Sequence, residues 1–190
     1  ALGISFVTRA GLGTSPVSGL PFVISLITGI SMGTFTFLFN MLFLILEAIL
    51  RRKFTLQQAL QIPITFAFSF FIDRFMALIP TRFGGPWGSS FVYLAIGCVV
   101  MALGISLEVM ADVIMLPAEA LVRAISQTTG MKFGNVKVGF DSFLTVSAMV
   151  VALLAFHKLN GVREGTLINA IAVGNIVKLW RKLLEGAITA

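Results

Sequence analysis

Asp141 opens an apolar run that carries no other charge until His157. A carboxylate within such a run is costly in a bilayer and faces protein or water. Lys137 lies four residues earlier in Gly134-Asn135-Val136-Lys137, so the two side chains share one helical face. Lys before Asp is the weaker order for a pair on an isolated helix. The two residues therefore fit a structural ion pair near an interface or a charged site facing a cavity. At an offset of 101 positions Asn40 stands where Asp141 does, again polar within a long apolar stretch.

A second constellation is Arg9-Ala-Gly11-Leu-Gly13-Thr14-Ser15-Pro16-Val-Ser18. Two glycines allow close backbone approach, and Ser15 stands where an N-cap belongs, immediately before a proline. Free N–H groups and the positive end of a short helix would favour an anion or a substrate carboxylate, with Arg9 adding charge. The plainer alternative is that Thr14 and Ser15 cap the helix and the glycines let the chain turn. The equivalent stretch, Glu108 to Glu119, exchanges the glycines for Glu108, Asp112 and Glu119. Glu119 falls at the third helical position, where an acid complements the dipole.

Asp73 and Arg74 interrupt Phe66–Leu78 and, being adjacent, need separate partners. Asn169 and Asn175 are suited to joining helices, and His157 marks a span end beside Lys158. The chain contains no Ser/His/Asp set, metal-ligand spacing or phosphate loop, and Gly11-Leu-Gly13 lacks the context of a dinucleotide motif. These patterns point away from an enzyme and imply no cofactor and no metal. Cys98 is the single cysteine, so no disulfide framework is possible.

The elements that must position these residues are set by composition. Of 190 residues 57% are hydrophobic and 12% charged, with mean hydropathy +0.99. A soluble domain carries about 25% charged residues. The net charge of +6 would suggest nucleic acid in a soluble protein, but the basic residues sit in short gaps between apolar stretches. Gaps of that kind carry topology signals, and nucleic-acid binding is not expected. Apolar stretches run over Gly33–Leu50, Ile62–Pro80, Phe91–Leu107, Phe140–Phe156 and Thr166–Trp180. With a turn added each approaches the roughly 20 residues a membrane helix needs. No strand-like alternation is present, so the expected class is all-α, a polytopic transmembrane bundle. Ala1 to Phe6 reads as the tail of a further span.

Pro16–Thr28 and Pro117–Thr129 each open with proline and stop before a glycine, which predicts two half-helices or interfacial helices of about 20 Å. They expose an internal repeat. Ala10, Pro16, Leu20, Gly29 and Gly33 match Ala111, Pro117, Leu121, Gly130 and Gly134 at the same offset of 101. Residues 1–80 form the first repeat and 91–190 the second, together one membrane domain. Three spans per half invert the second repeat. If Arg51-Arg52-Lys53 is cytoplasmic, Arg123, Lys132, Lys137, Lys178, Arg181 and Lys182 join it. Arg9, Arg74, Arg82, Lys158 and Arg163 are left outside, a weak positive-inside bias.

Ala10-Gly-Leu-Gly-Thr-Ser-Pro16, then Thr28-Gly-Ile-Ser-Met-Gly33, resembles the first-half signature of the YczE/YyaS/YitT group of bacterial membrane proteins. Lys137-x-x-x-Asp141 resembles that group's basic and acidic pair, and Gly161-Val-Arg-Glu-Gly165-Thr166 its closing turn. Thr14-Ser15-Pro16-Val-Ser18 stands where the group often has Gly-Pro-Trp-Asp. The resemblance implies a multi-pass protein of the bacterial inner membrane and no particular activity.

Interrupted helices in inverted repeats are a common transporter plan. The expected function is thus a small transporter or solute-binding membrane protein for a small, anionic solute. Its candidate site is Arg9, Gly13, Thr14, Ser15, Asn40, Asp112, Glu119, Lys137 and Asp141, gathered around one hydrated pocket between the half-helices. The alternative is a non-transporting accessory or scaffold subunit of an export or biosynthetic assembly. Membrane lipid is the expected surrounding, and a homodimer is compatible with either reading.

Overall fold

The computed structural model describes residues 1–80, 87–111 and 114–188. Every regular element among them is a helix. In chain order these are α1 (Leu2–Arg9), α2 (Pro16–Thr28), α3 (Met32–Arg51), α4 (Leu56–Leu78), α5 (Trp87–Ala111), α6 (Pro117–Thr129), α7 (Phe133–Phe156) and α8 (Glu164–Ile188). The two short helices start on their prolines and stop on Gly29 and Gly130, both left-handed, at φ 73° and 71°. Glycine adopts that conformation without the Cβ clash that other residues meet. α3 starts on Ser31, whose side chain accepts from Thr34 N, and α4 starts on a Thr55–Gln58 capping box.

Four helices, α3, α4, α5 and α7, are long and apolar enough to cross a membrane. α8 is long enough too, but Lys178, Arg181 and Lys182 crowd its second half and keep it out of that set. The arrangement of polarity on α4 is the reverse of a water-soluble helix. Its exposed face carries Leu60, Ile62, Ile64, Phe66, Phe70, Phe71 and Leu78. Its buried face carries Gln58, Gln61, Thr65 and Ser69. Water outside would select the opposite pattern; lipid outside selects this one. The protein is an all-α membrane bundle.

The two short helices take equivalent partners. α2 packs on α7 and α6 on α3, so each short helix leans on the long helix of the other half. α1 and α5 meet through Gly3 and Gly97, whose missing side chains let the two backbones approach closely. Three of the apolar clusters draw buried residues from both halves, and Met101 packs against the fourth, which makes the bundle one unit.

Candidate functional site

The glycine loop before α2 is sewn to the start of α8. Leu12 O accepts from Gly165 N at 2.7 Å, Thr14 N donates to Thr166 Oγ1 at 3.3 Å, and Arg163 donates to Gly11 O. Gly13 sits at φ +120°, and a Cβ there would collide with Thr166 Oγ1. Thr14 is fully buried and shares a 2.7 Å hydrogen bond with Thr8 Oγ1. Ser15 occupies the N-cap position, yet its hydroxyl donates to Ser18 Oγ at 2.9 Å and caps no backbone N–H. Arg9 donates to Met76 O on α4. The α2 tip is thus a sealed joint between α1, α2 and α8.

The other expected residues stand apart from it. Asn40 is buried on α3 and donates to Thr36 O of its own helix. Lys137 and Asp141 form a local ion pair at 3.0 Å, each side chain 25% exposed. The space shared by α2, α3, α6 and α7 is apolar, filled by Leu20, Phe43, Leu121, Phe140 and Leu144. At that place bulky side chains at equivalent positions of the two halves, such as Leu20 and Leu121, pack against one another. Asp112 lies outside the described residues.

Other polar residues have structural partners. Asp73 on α4 caps α3: Oδ1 accepts from Gly33 N and Oδ2 from Ser31 Oγ, each at 2.6 Å. An acid there is stabilised by the positive end of the α3 dipole. Glu108 Oε1 accepts from Leu116 N at 2.9 Å, tying the end of α5 to the residue that starts α6. Asn169 on α8 donates to Cys98 Sγ on α5, joining two helices. His157 ends α7 in the left-handed region, exposed.

The polar cavity opens at the C-terminal end of α3, under α6. It measures about 100 Å³, well above the ~15 Å³ one water needs. Glu47, Arg51, Thr55, Gln57, Gln61, Ile114, Met115, Ala120 and Arg123 line it. Glu47 is 4% exposed, and its Oε1 accepts from Arg51 Nε at 2.7 Å. Arg51 also reaches Gln127 of α6 at 3.2 Å, so the pair bolts α3 to the short helix. None of the expected site residues that the structure describes lines it; Glu119 is the chain neighbour of Ala120 in the first turn of α6. Among the described lining residues, Arg51 and Arg123 stand against Glu47, one net positive charge. Among the described residues no group of His, Cys, Asp and Glu is placed to hold a metal ion.

Residues 1–182 match a family described as a family of unknown function, DUF6198. The chain belongs to it. No curated protein and no solved structure matches the chain. In this DUF6198 member, then, the site has to be read from geometry.

Glu47 is the residue the sequence reading passed over. It is the only charge in Gly33–Leu50, so the rule that singled out Asp141 applies to it equally. Gln58, Gln61, Thr65 and Ser69 were legible as well, at spacings of three and four residues along one helical face. Arg123 carried no such signal; only the fold brings it to Glu47.

Proposed function

We propose that the protein is a small transporter or solute-binding protein of the bacterial inner membrane, holding a small anionic solute in the cavity between α3, α4 and α6. The buried Glu47 carboxylate, paired with a one-third exposed Arg51 beside that cavity, carries the reading. A charged pair within a bundle is expensive unless it is used or fully satisfied, and Glu47 Oε2 has no partner among the described residues. The net positive lining and the nearby start of α6 favour a carboxylate or phosphate. Helices with equivalent boundaries and exchanged partners support an inverted repeat. Arg51 and Arg123 gather at one end of α3, while Arg9, near Met76, and Arg163 gather around the other, in keeping with the expected sidedness. The motifs shared with the YczE/YyaS/YitT group support the bacterial location.

The test is ligand-induced stabilisation of the purified full chain. Acetate, succinate, glutamate and inorganic phosphate are each added during thermal unfolding in detergent. A bound anion at a hundred times its dissociation constant stabilises by about 2.7 kcal/mol. At least one is expected to raise the midpoint, and Arg123→Gln to remove the rise. No shift with any of them, or a shift that Arg123→Gln leaves intact, contradicts the proposal.

A further inference from the structure

The buried face of α4 carries Gln58, Gln61, Thr65 and Ser69, with Asp73 one turn further on. At 1.5 Å per residue this row runs for about 22 Å, most of the thickness of a bilayer core. Thr65 is 0% exposed, and the other three named first are at most 4% exposed. Gln58 Nε2, Gln61 Oε1, Thr65 Oγ1 and Ser69 Oγ find no hydrogen-bond partner among the described residues. Facing polar residues on α3 are satisfied within their own helix: Thr36 donates to Met32 O and Asn40 to Thr36 O. Four of the unpartnered groups thus form one strip along α4; the others, those on Glu47 and Asn169 among them, lie on other helices. Each such group costs about 1–3 kcal/mol when left unpaired. Hydroxyls and carboxamides both donate and accept, which is the chemistry that holds a file of water molecules.

The strip has a chemically distinct group at each end. At one end Asp73 holds Ser31 and Gly33, where Ser31 and Thr34 reach the exposed rim. At the other, Gln61 lines the cavity with Glu47, whose Oε1 is taken by Arg51 and whose Oε2 is unpartnered. We propose that the α3–α4 seam is a water-bridged proton path from the Asp73 rim to Glu47, and that Glu47 Oε2 takes up the proton.

A hydronium ion at the rim passes its proton along the file and is left as water. Glu47 changes from carboxylate to acid, and Arg51 stays protonated while its ion pair weakens to an ordinary hydrogen bond. The cavity then gains one positive charge and holds an anion more tightly. A metal cation fits less well, because Glu47 is already neutralised by Arg51 and Arg123 lines the same cavity. The titratable groups around Glu47 are few. α3 supplies Arg51 and α6 supplies Glu119 and Arg123; α4 has only Asp73 and Arg74, at its far end, and α2 has none. The coupling to an anion rests on the solute-site reading above, whereas the proton path rests on the seam alone.

Infrared difference spectroscopy of the full chain in lipid, with steps in bulk pH, reads the proton directly. In a Glu108→Gln background, which removes the half-buried carboxyl at the α5–α6 turn, a protonated-carboxyl band is expected on acidification, lost on adding Glu47→Gln and kept on adding Glu164→Gln, which alters an exposed surface pair. Its exchange in heavy water should slow about tenfold in Thr65→Val, the equivalent of one lost hydrogen bond. Should Glu47→Gln fail to fold, the Thr65→Val and Ser69→Ala exchange rates decide instead. A band that survives Glu47→Gln, or exchange unchanged by both file variants, overturns the inference. Anion stabilisation with no Glu47 band would sink the proton path and leave the solute site standing; a Glu47 band with no anion effect would do the reverse.

Discussion

The molecule builds the same joint twice. α2 against α7 and α6 against α3 are equivalent packings, and positions 101 residues apart can be compared one by one. On α7 the joint is made by Ala148 and Ala152, which meet Val23 and Val162 in a small dry cluster. On α3 the equivalent positions are Glu47 and Arg51, and a polar cavity lies beside them. One joint is sealed by methyl groups, the other is held by an ion pair. The sealed copy shows that the architecture alone does not require a charge there. Under the proposed solute site Glu47 and Arg51 serve function as well as joining α3 to α6, since a buried pair is seldom more stable than apolar side chains of similar size.

The largest effect is expected from forcing the sealed joint to resemble the open one. Ala148→Glu would bury a carboxylate without its arginine and destabilise by about 3–5 kcal/mol. Thermal unfolding in detergent would show it, and a wild-type midpoint would break the comparison. Arg51→Ala strands Glu47 in the open joint. Arg51 is one-third exposed, which lowers the expected cost to about 2 kcal/mol. The double variant Glu47→Ala, Arg51→Ala copies the α7 joint and should recover most of that loss while abolishing anion stabilisation. A double variant no more stable than Arg51→Ala would mean the pair is there for packing.

A glycine pair sharpens the contrast further. Gly33 lies against Ser69 O and Asp73, whereas its equivalent, Gly134, has nothing within 4 Å. The reason is that α4 packs along α3, while α8 packs chiefly on α5. Gly33→Ala should destabilise by about 1–3 kcal/mol through overpacking. Gly134→Ala should be neutral or stabilise by about 0.5–1 kcal/mol through helix propensity. Equal midpoint shifts for the two would contradict the asymmetry. Smallest of all is Asp141→Asn, which removes a partly exposed pair within one helix. A change of about 0.5 kcal/mol or less is expected, and a much larger one would make Asp141 more than a local partner of Lys137.

The class of fold was legible because lipid constrains a chain so tightly. Apolar length, proline starts and glycine stops place the two short helices at Pro16–Thr28 and Pro117–Thr129, where the structure has them. The site was less legible. A sequence shows that Asp141 shares a helical face with Lys137 but leaves open whether the two pair locally, as they do in the structure, or face a cavity. It shows two glycines and a serine at the α2 tip, but not that Arg163 to Thr166 closes over them from the other half. That closure depends on contacts 152 positions apart in the chain. Glu47 was visible by the same rule as Asp141. What the sequence could not supply was its setting under α6, with Arg123 alongside and a row of orphaned groups on α4.

The central claim is that water reaches the α6 joint and not the α2 joint. Ala120 and Gly19 are equivalent positions, one lining the cavity and the other packed near Ala148 and Val162. In a Cys98→Ala background, Ala120→Cys and Gly19→Cys are exposed in membranes to a charged, water-soluble methanethiosulfonate reagent. Ala120→Cys is expected to be modified and Gly19→Cys to be protected. Equal reactivity at the two positions, or modification of Gly19→Cys alone, would contradict it.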